Sequence, residues 1–363
     1  MLRTVFILHP GGFGDLLLAV PAIQSLRERF PSRQFLLCGQ DESAEFLADC
    51  GLVDRWLSVQ STACTALFGG AAPDDLSVRD WLRRCDLAVA WTHDDAGTLA
   101  ATLEEYGAEA VVVESPFAPK LSRVHQSERF LEIVGGQGGQ VWNAPLTVPP
   151  AVREQAEAFL TKLGVSRQRP LAMIHPGSGS RHKCVAPAVL LPVVEGLESE
   201  GFEPLLLDGP ADHEIVQRFL VHMARHPILL SGLSIRLLAG VLSHVDLFLG
   251  HDSGVTHLAA LLGTPTVALF GPTESERWAP RGRAVAVIQE RPCRCASWDA
   301  VRNCIEKPCL ELSKALYNSH LVGDFPSSID YTHRGCLTPP LSICKYASSF
   351  GWPALCELLA RKG

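Results

Sequence analysis

Short apolar runs alternate with longer helical patterns along most of this chain, and that alternation leaves few folds open. Residues 5–8, 35–38, 87–90 and 110–113 form a first series, and 171–175, 204–207, 228–230, 247–250, 267–270 and 285–288 a second. Runs that are apolar on both faces predict parallel strands covered by helices on either side. Repeated strand, helix, strand units then predict an α/β protein built from doubly wound parallel sheets. Residues 16–30 set Leu17, Val20, Ile23 and Leu26 at helical spacing, which predicts one continuous first crossover helix.

A chain of 363 residues is long for a single α/β core and suits two. The pattern loosens between about residues 135 and 170, where Gly135, Gly136, Gly138 and Gly139 precede Pro149 and Pro150 and one helix covers 153–163. The expected division is a domain at 1–150, a domain at 151–316, and a tail at 317–363 with a closing helix near 352–361.

A formal net charge of −7 gives no broad cationic field, so nucleic acid is not an expected partner. Anionic ligands must be held locally, by a few cations and by helix N-termini. No stretch of eighteen apolar residues appears and the start lacks a signal-peptide layout, so the expected location is the cytoplasm. Of twelve cysteines, Cys38, Cys50 and Cys85 sit singly in apolar segments and are expected in the core. Cys293, Cys295, Cys304 and Cys309 gather near Pro292 and Pro308, a candidate structural zinc or iron–sulfur site, although their spacing is not the usual paired CxxC.

Three loops, each between a strand and a helix, can carry chemistry. The first holds Gly11, Gly12, Gly14 and Asp15; its glycines let the backbone approach a ligand, and Asp15 serves either as a helix cap or as a proton acceptor. The second runs from His175 through Ser178, Gly179 and Arg181 to Lys183, combining small residues with two cations as a phosphate requires. A polar surface loop has the same composition, and the Gly-Lys-Ser/Thr ending of a P-loop is missing. In the third, Asp252, Ser253 and Gly254 lead into an apolar helix whose unpaired N–H groups suit a diphosphate, with His257 one turn further on. A core histidine bonded to backbone is the other reading of His257 and the commoner fate of a single His in such a helix. Gly271 and Pro272 follow the next strand and border the same region, and Glu214 stands either as a carboxylate for ribose hydroxyls or as an exposed residue in a first helical turn.

Taken in order, the blocks GGFGDLLLAVPAIQSLRERFP, HPGSGSRHK, GPADHE and LFLGHDSGVTHLAALLGTPTVALFGPTESERWAP resemble glycosyltransferase family 9, the bacterial lipopolysaccharide heptosyltransferases, over roughly residues 3–313. The resemblance implies a GT-B fold, two Rossmann-like domains facing a central cleft. It also implies inverting transfer from a nucleotide donor, ADP-heptose, to a lipopolysaccharide-core or related glycan or glycolipid acceptor. By the same resemblance Asp15 is the general base, Lys183 the phosphate contact, Glu214 the ribose carboxylate, and Asp252, Ser253, Gly254 and His257 the nucleotide-sugar loop. No cofactor is expected, since no Asp-x-Asp occurs in the chain to hold a diphosphate-bound metal. A lipid-borne acceptor implies peripheral contact with the inner face of the cytoplasmic membrane. The family often has a basic residue where this chain has His9 and an aromatic where it has Val185, differences that bear on sugar or acceptor preference. Two other readings use the same site: a sugar-nucleotide epimerase, and a catalytically silent nucleotide-sugar-binding protein.

Overall fold

A computed structural model of the chain describes residues 2–117, 124–136, 145–166, 168–223 and 225–311. The expected tail and its closing helix lie outside these residues, as does part of the glycine-rich stretch. The chain divides into two compact units, one comprising Met1–Val152 with Ser234–Leu237 and the other the remainder from Arg153 onward.

The first unit runs β1 (Thr4–Leu8), α1 (Phe13–Leu18), α2 (Val20–Arg29), β2 (Gln34–Gly39), α3 (Asp41–Asp49), β3 (Arg55–Ser58), α4 (Thr62–Phe68), α5 (Leu76–Leu82), β4 (Cys85–Ala90), α6 (Thr98–Glu105), β5 (Val111–Val113) and α7 (Gln126–Ile133). Its five strands are parallel, in the order β3-β2-β1-β4-β5. Every residue of β1 is buried, as a strand covered on both faces requires. Phe6 and Leu8 pack there with Trp81, Leu82, Leu99 and Leu103. Each such side chain contributes roughly 1.5–3 kcal/mol by leaving water.

Three details differ from the sequence expectation. The first crossover is two helices, because the chain turns at Ala19 and α2 restarts with Pro21 in its first turn, where a missing N–H costs nothing. The strand β3 has no counterpart in the sequence reading, since it lies at the sheet edge with Arg55 and Trp56 exposed and lacks a continuous apolar run. Cys38 and Cys85 are buried as expected, whereas Cys50, at the end of α3, is half-buried.

After α8 (Pro150–Lys162) the second unit runs β6 (Leu171–His175), α9 (Pro187–Ser199), β7 (Glu203–Asp208), α10 (His213–Val221), β8 (Ile228–Ser231), α11 (Ile235–Leu242), β9 (Leu247–His251), α12 (Gly254–Leu261), β10 (Thr266–Leu269), α13 (Ser275–Trp278), β11 (Val285–Ile288) and α14 (Trp298–Asn303). Its six parallel strands take the order β11-β10-β9-β6-β7-β8. Neighbouring strands β6 and β9 pair His175 with Gly250, yet the chain leaves β6 toward β7 and β9 toward β10, on opposite sides. Such a reversal opens a crevice at the carboxyl ends of the strands, where ligands bind in this architecture. In the first unit β1 holds the equivalent place, with Leu8 paired to Cys38 on one side and Ala90 on the other.

Candidate functional site

The loops after β6 and β9 meet at the reversal point of the second unit. Ser253 adopts an extended backbone and caps α12, its Oγ accepting the N–H of Thr256 at 3.4 Å. The remaining N–H groups of the first turn have no helical acceptor and carry the positive end of the helix dipole. From the facing loop, a short 3-10 turn at Arg181–Lys183 projects Lys183, whose Nζ donates to Asp252 Oδ2 at 2.7 Å. The pair is partly shielded, with side-chain exposures of 22% for Lys183 and 9% for Asp252. The Lys183 ammonium also lies 5.8 Å from the centre of the Trp298 ring, within cation–π range.

A buried carboxylate ties these loops together. Asp212, whose side chain is 7% exposed, accepts from His175 Nε2 at 2.8 Å through Oδ2 and from the Ser178 N–H at 3.0 Å through Oδ1. Ser178 Oγ then donates to the Asp252 carbonyl at 2.7 Å, and His175 Nδ1 lies 3.5 Å from Ser253 Oγ. Side chains at Gly177 or Gly209 would occupy the space of the Asp212 carboxylate, so both positions must lack a Cβ. Asp212 sits at the N-cap of α10, where a negative charge is favoured.

Two further histidines are uncharged near neutrality. His251 is buried; its Nδ1–H donates to the Gly177 carbonyl at 3.3 Å and its Nε2 accepts the Val185 N–H at 3.0 Å. Burial, with His175 nearby, pushes its pKa down to about 4. His257, in the second turn of α12, is likewise held at about 4 by burial. His257 therefore brings no positive charge to a diphosphate and packs in the interior, the alternative its position allowed.

The other expected residues are placed as follows. His175 is buried against Asp212, so it supports the loops from beneath. Ser178, Arg181, Asp212 and Glu214 line a cavity of about 690 Å³ with Arg218 and Lys307, on the Asp212 side of the β6–α9 loop; Lys183 and Asp252 are not among its walls. Glu214 lies in the first turn of α10, 66% exposed, and pairs with Arg218 at 2.5 Å. Nothing crowds a Cβ at Gly179. Gly271 is buried under Leu310, which would collide with any side chain there, so its smallness answers packing; Pro272 beside it is half-buried.

In the first unit, Gly12 is the N-cap of α1 and Asp15 lies inside the first turn, so Asp15 is not the N-cap residue. Asp15 is half-buried. A Cβ on Gly11 would stand 2.9 Å from His9 Cε1 and 3.3 Å from Asp15 Cβ, so the loop threads between these two side chains only as glycine. Gly14 is within α1. His9 is buried between Trp91 and Phe130, at ring separations of 6.0 and 5.5 Å, and burial lowers its pKa to about 4.

The cysteine cluster departs from expectation. Cys295 interacts with Cys293 and Cys304, and Cys309 with Cys293. Among the described residues, however, no group of three or more His, Cys, Asp or Glu side chains is placed to hold a metal ion. Cys309 is buried with Leu310 in the hydrophobic core, Cys293 packs against that same core, and Cys293, Cys295 and Cys304 are half-buried. Burial first, and then Cys293, push the Cys309 thiol up to about 12.

Sequence reasoning passed over Asp212 and Trp298. Asp212 carried a usable signal, an acid at a helix start directly after a Gly-Pro turn, but its partners lie 34 and 37 positions earlier.

Comparison with known proteins adds the following. Residues 137–309 match the family described as glycosyltransferase family 9 (heptosyltransferase). The chain is 24% identical over 288 residues to lipopolysaccharide heptosyltransferase 3 of Escherichia coli, covering 74% of this chain and 83% of that protein. Among solved structures, it is similar to a family 9 glycosyl transferase from Veillonella parvula DSM 2008, with a TM-score of 0.69, 17% identity, and coverage of 85% and 92%. It is also similar to the E. coli ADP-heptose LPS heptosyltransferase II, with a TM-score of 0.64, 17% identity, and coverage of 86% and 98%. These two structures share its fold.

Proposed function

The chain belongs to glycosyltransferase family 9 and is a glycosyltransferase, and from that premise we propose that it moves a heptose from an ADP-linked donor to a lipopolysaccharide-core or related glycan acceptor. One observation carries this reading: the Lys183–Asp252 pair stands beside the first turn of α12 at the strand reversal of the second unit. That combination offers a cation and helix N–H groups to a diphosphate, with a carboxylate for sugar hydroxyls.

In the proposed reaction Asp15 removes the proton from the acceptor hydroxyl as its oxygen attacks the anomeric carbon. The bond to the diphosphate breaks on the opposite face, so configuration inverts. Negative charge accumulates on the departing ADP and is met by Lys183 and the α12 N-terminus, which stabilise it without a metal. Glu214, exposed at the start of α10, accepts the ribose hydroxyls by exchanging its contact with Arg218. No described helix is long and apolar enough to cross a membrane, and a lipid-borne acceptor is proposed to be met by peripheral contact.

The test is a thermal-shift series with ADP, UDP, GDP and ADP-heptose, because a ligand of the folded state raises the melting temperature according to its affinity. ADP and ADP-heptose should give the largest shifts. A larger shift with UDP or GDP would reassign the donor, and no shift with any nucleotide would remove the proposal.

A further inference from the structure

The Asp212 carboxylate has two arms, and both end on adjacent residues of the β9–α12 loop. One passes through the Ser178 N–H and Oγ to the Asp252 carbonyl, by contacts of 3.0 and 2.7 Å. The other passes through the His175 ring to the Ser253 hydroxyl, by contacts of 2.8 and 3.5 Å. A carboxylate only accepts, so His175 carries hydrogen on Nε2, while its Nδ1 lies 3.5 Å from the Ser253 hydroxyl, which also contacts Thr256 Oγ1 at 3.0 Å. The oxygen of that hydroxyl remains turned toward the Thr256 N–H that it caps.

Burying a carboxylate is expensive unless its oxygens are paired. Here two strand-end segments meet at it, the loop after β6 and the start of α10 after β7, and the loop after β9 is joined to them through Ser178 and His175. Gly177 and Gly209 clamp it sterically, leaving no room for an extra methylene. A simple cap for α10 needs none of this, and Asp212 makes no side-chain cap hydrogen bond.

We propose that Asp212 is a positioning residue for the donor diphosphate, fixing Asp252 and Ser253, and through them Lys183 and the first turn of α12, at the spacing the diphosphate requires. The assignment rests on the donor site proposed above. Asp212 touches neither donor nor acceptor; it acts through Ser178 and His175.

Asp212→Asn preserves size but places an amide N–H against one of two donors. Calorimetric titration with ADP should show affinity about tenfold weaker than wild type. The KM for ADP-heptose should rise similarly while kcat changes less than threefold. Combined with Lys183→Ala, the loss of ADP affinity should fall short of the product of the single losses by threefold or more, because both act on one contact. Ser178→Ala cuts only the arm to Asp252 and should weaken ADP at least threefold; it decides the matter if Asp212→Asn does not fold. ADP affinity within twofold of wild type in Ser178→Ala and in folded Asp212→Asn, or losses that simply multiply, would overturn the assignment while leaving the donor site intact. Wild-type protein that binds no ADP removes the donor site and this role together.

Discussion

Lys183 and Asp252, 69 positions apart, meet at 2.7 Å because β6 and β9 are neighbours in the sheet, so each loop delivers one charge to the same point. Their pairing has unequal consequences for the two partners. Lys183→Ala strands a largely buried carboxylate and should cost about 1–3 kcal/mol of stability, with ADP affinity down more than tenfold. Asp252→Asn frees the cation from its competing anion. It should bind ADP at least as tightly as wild type, yet raise the KM for the intact sugar donor. Titration of both variants with ADP and with ADP-heptose checks the pattern; equal losses of ADP affinity would refute it.

Glycines of one loop should respond in opposite ways. Gly177→Ala drives a methyl group into the Asp212 carboxylate and is expected to cost about 1–3 kcal/mol through overpacking. Gly179→Ala meets nothing within 4 Å and should leave the melting temperature unchanged. If residue 179 lies against the donor, that variant weakens nucleotide binding without loss of stability. Denaturant melts beside ADP titrations separate the two effects.

How legible the site was depended on how local its causes are. Strands such as β6 and β9, buried on both faces, announce themselves as apolar runs, and the loops that follow them carry their chemistry in consecutive residues. Lys183 and Asp252 were found that way. The role proposed for Asp212 was not, because it depends on Gly177 and Ser178, which only folding brings near. His175 was expected at the ligand, and folding turns its ring onto Asp212, a contact its position in the sequence does not announce. Cysteine spacing similarly says which thiols are close in sequence, whereas folding puts Cys309 in the core with Cys293 packed against it.

Acid should destabilise the protein beginning well above the carboxylate range. His9, His251 and His257 have folded pKa values lowered from 6.5 to about 4, so the unfolded chain takes up their protons first. The stability they confer is full above pH 6.5 and is lost as pH falls toward 4. Each gap corresponds to about 3 kcal/mol. Protonation of His251 would also set a new N–H against the Val185 N–H that it now accepts. His251→Gln retains an acceptor that cannot be protonated, so its melting temperature should fall less steeply between pH 7.5 and 4.5, even from a lower start. Parallel slopes for variant and wild type would count against a titrating His251.

The most demanding prediction concerns Asp15. Its carboxylate stands in the first turn of α1, directly after the glycine-only passage beside His9. A general base lowers the barrier only when the acceptor hydroxyl begins to lose its proton, and it adds nothing to ground-state affinity for a nucleotide. Asp15→Asn keeps the shape and removes the basicity. Its kcat should drop by a factor of about 10²–10⁴, while ADP affinity and donor KM stay within about twofold of wild type. A residue that merely stabilised the α1 turn would instead lower the melting temperature and leave kcat per folded molecule nearly unchanged. Steady-state kinetics, with the folded fraction measured in the same samples, therefore distinguish a proton acceptor from a structural acid.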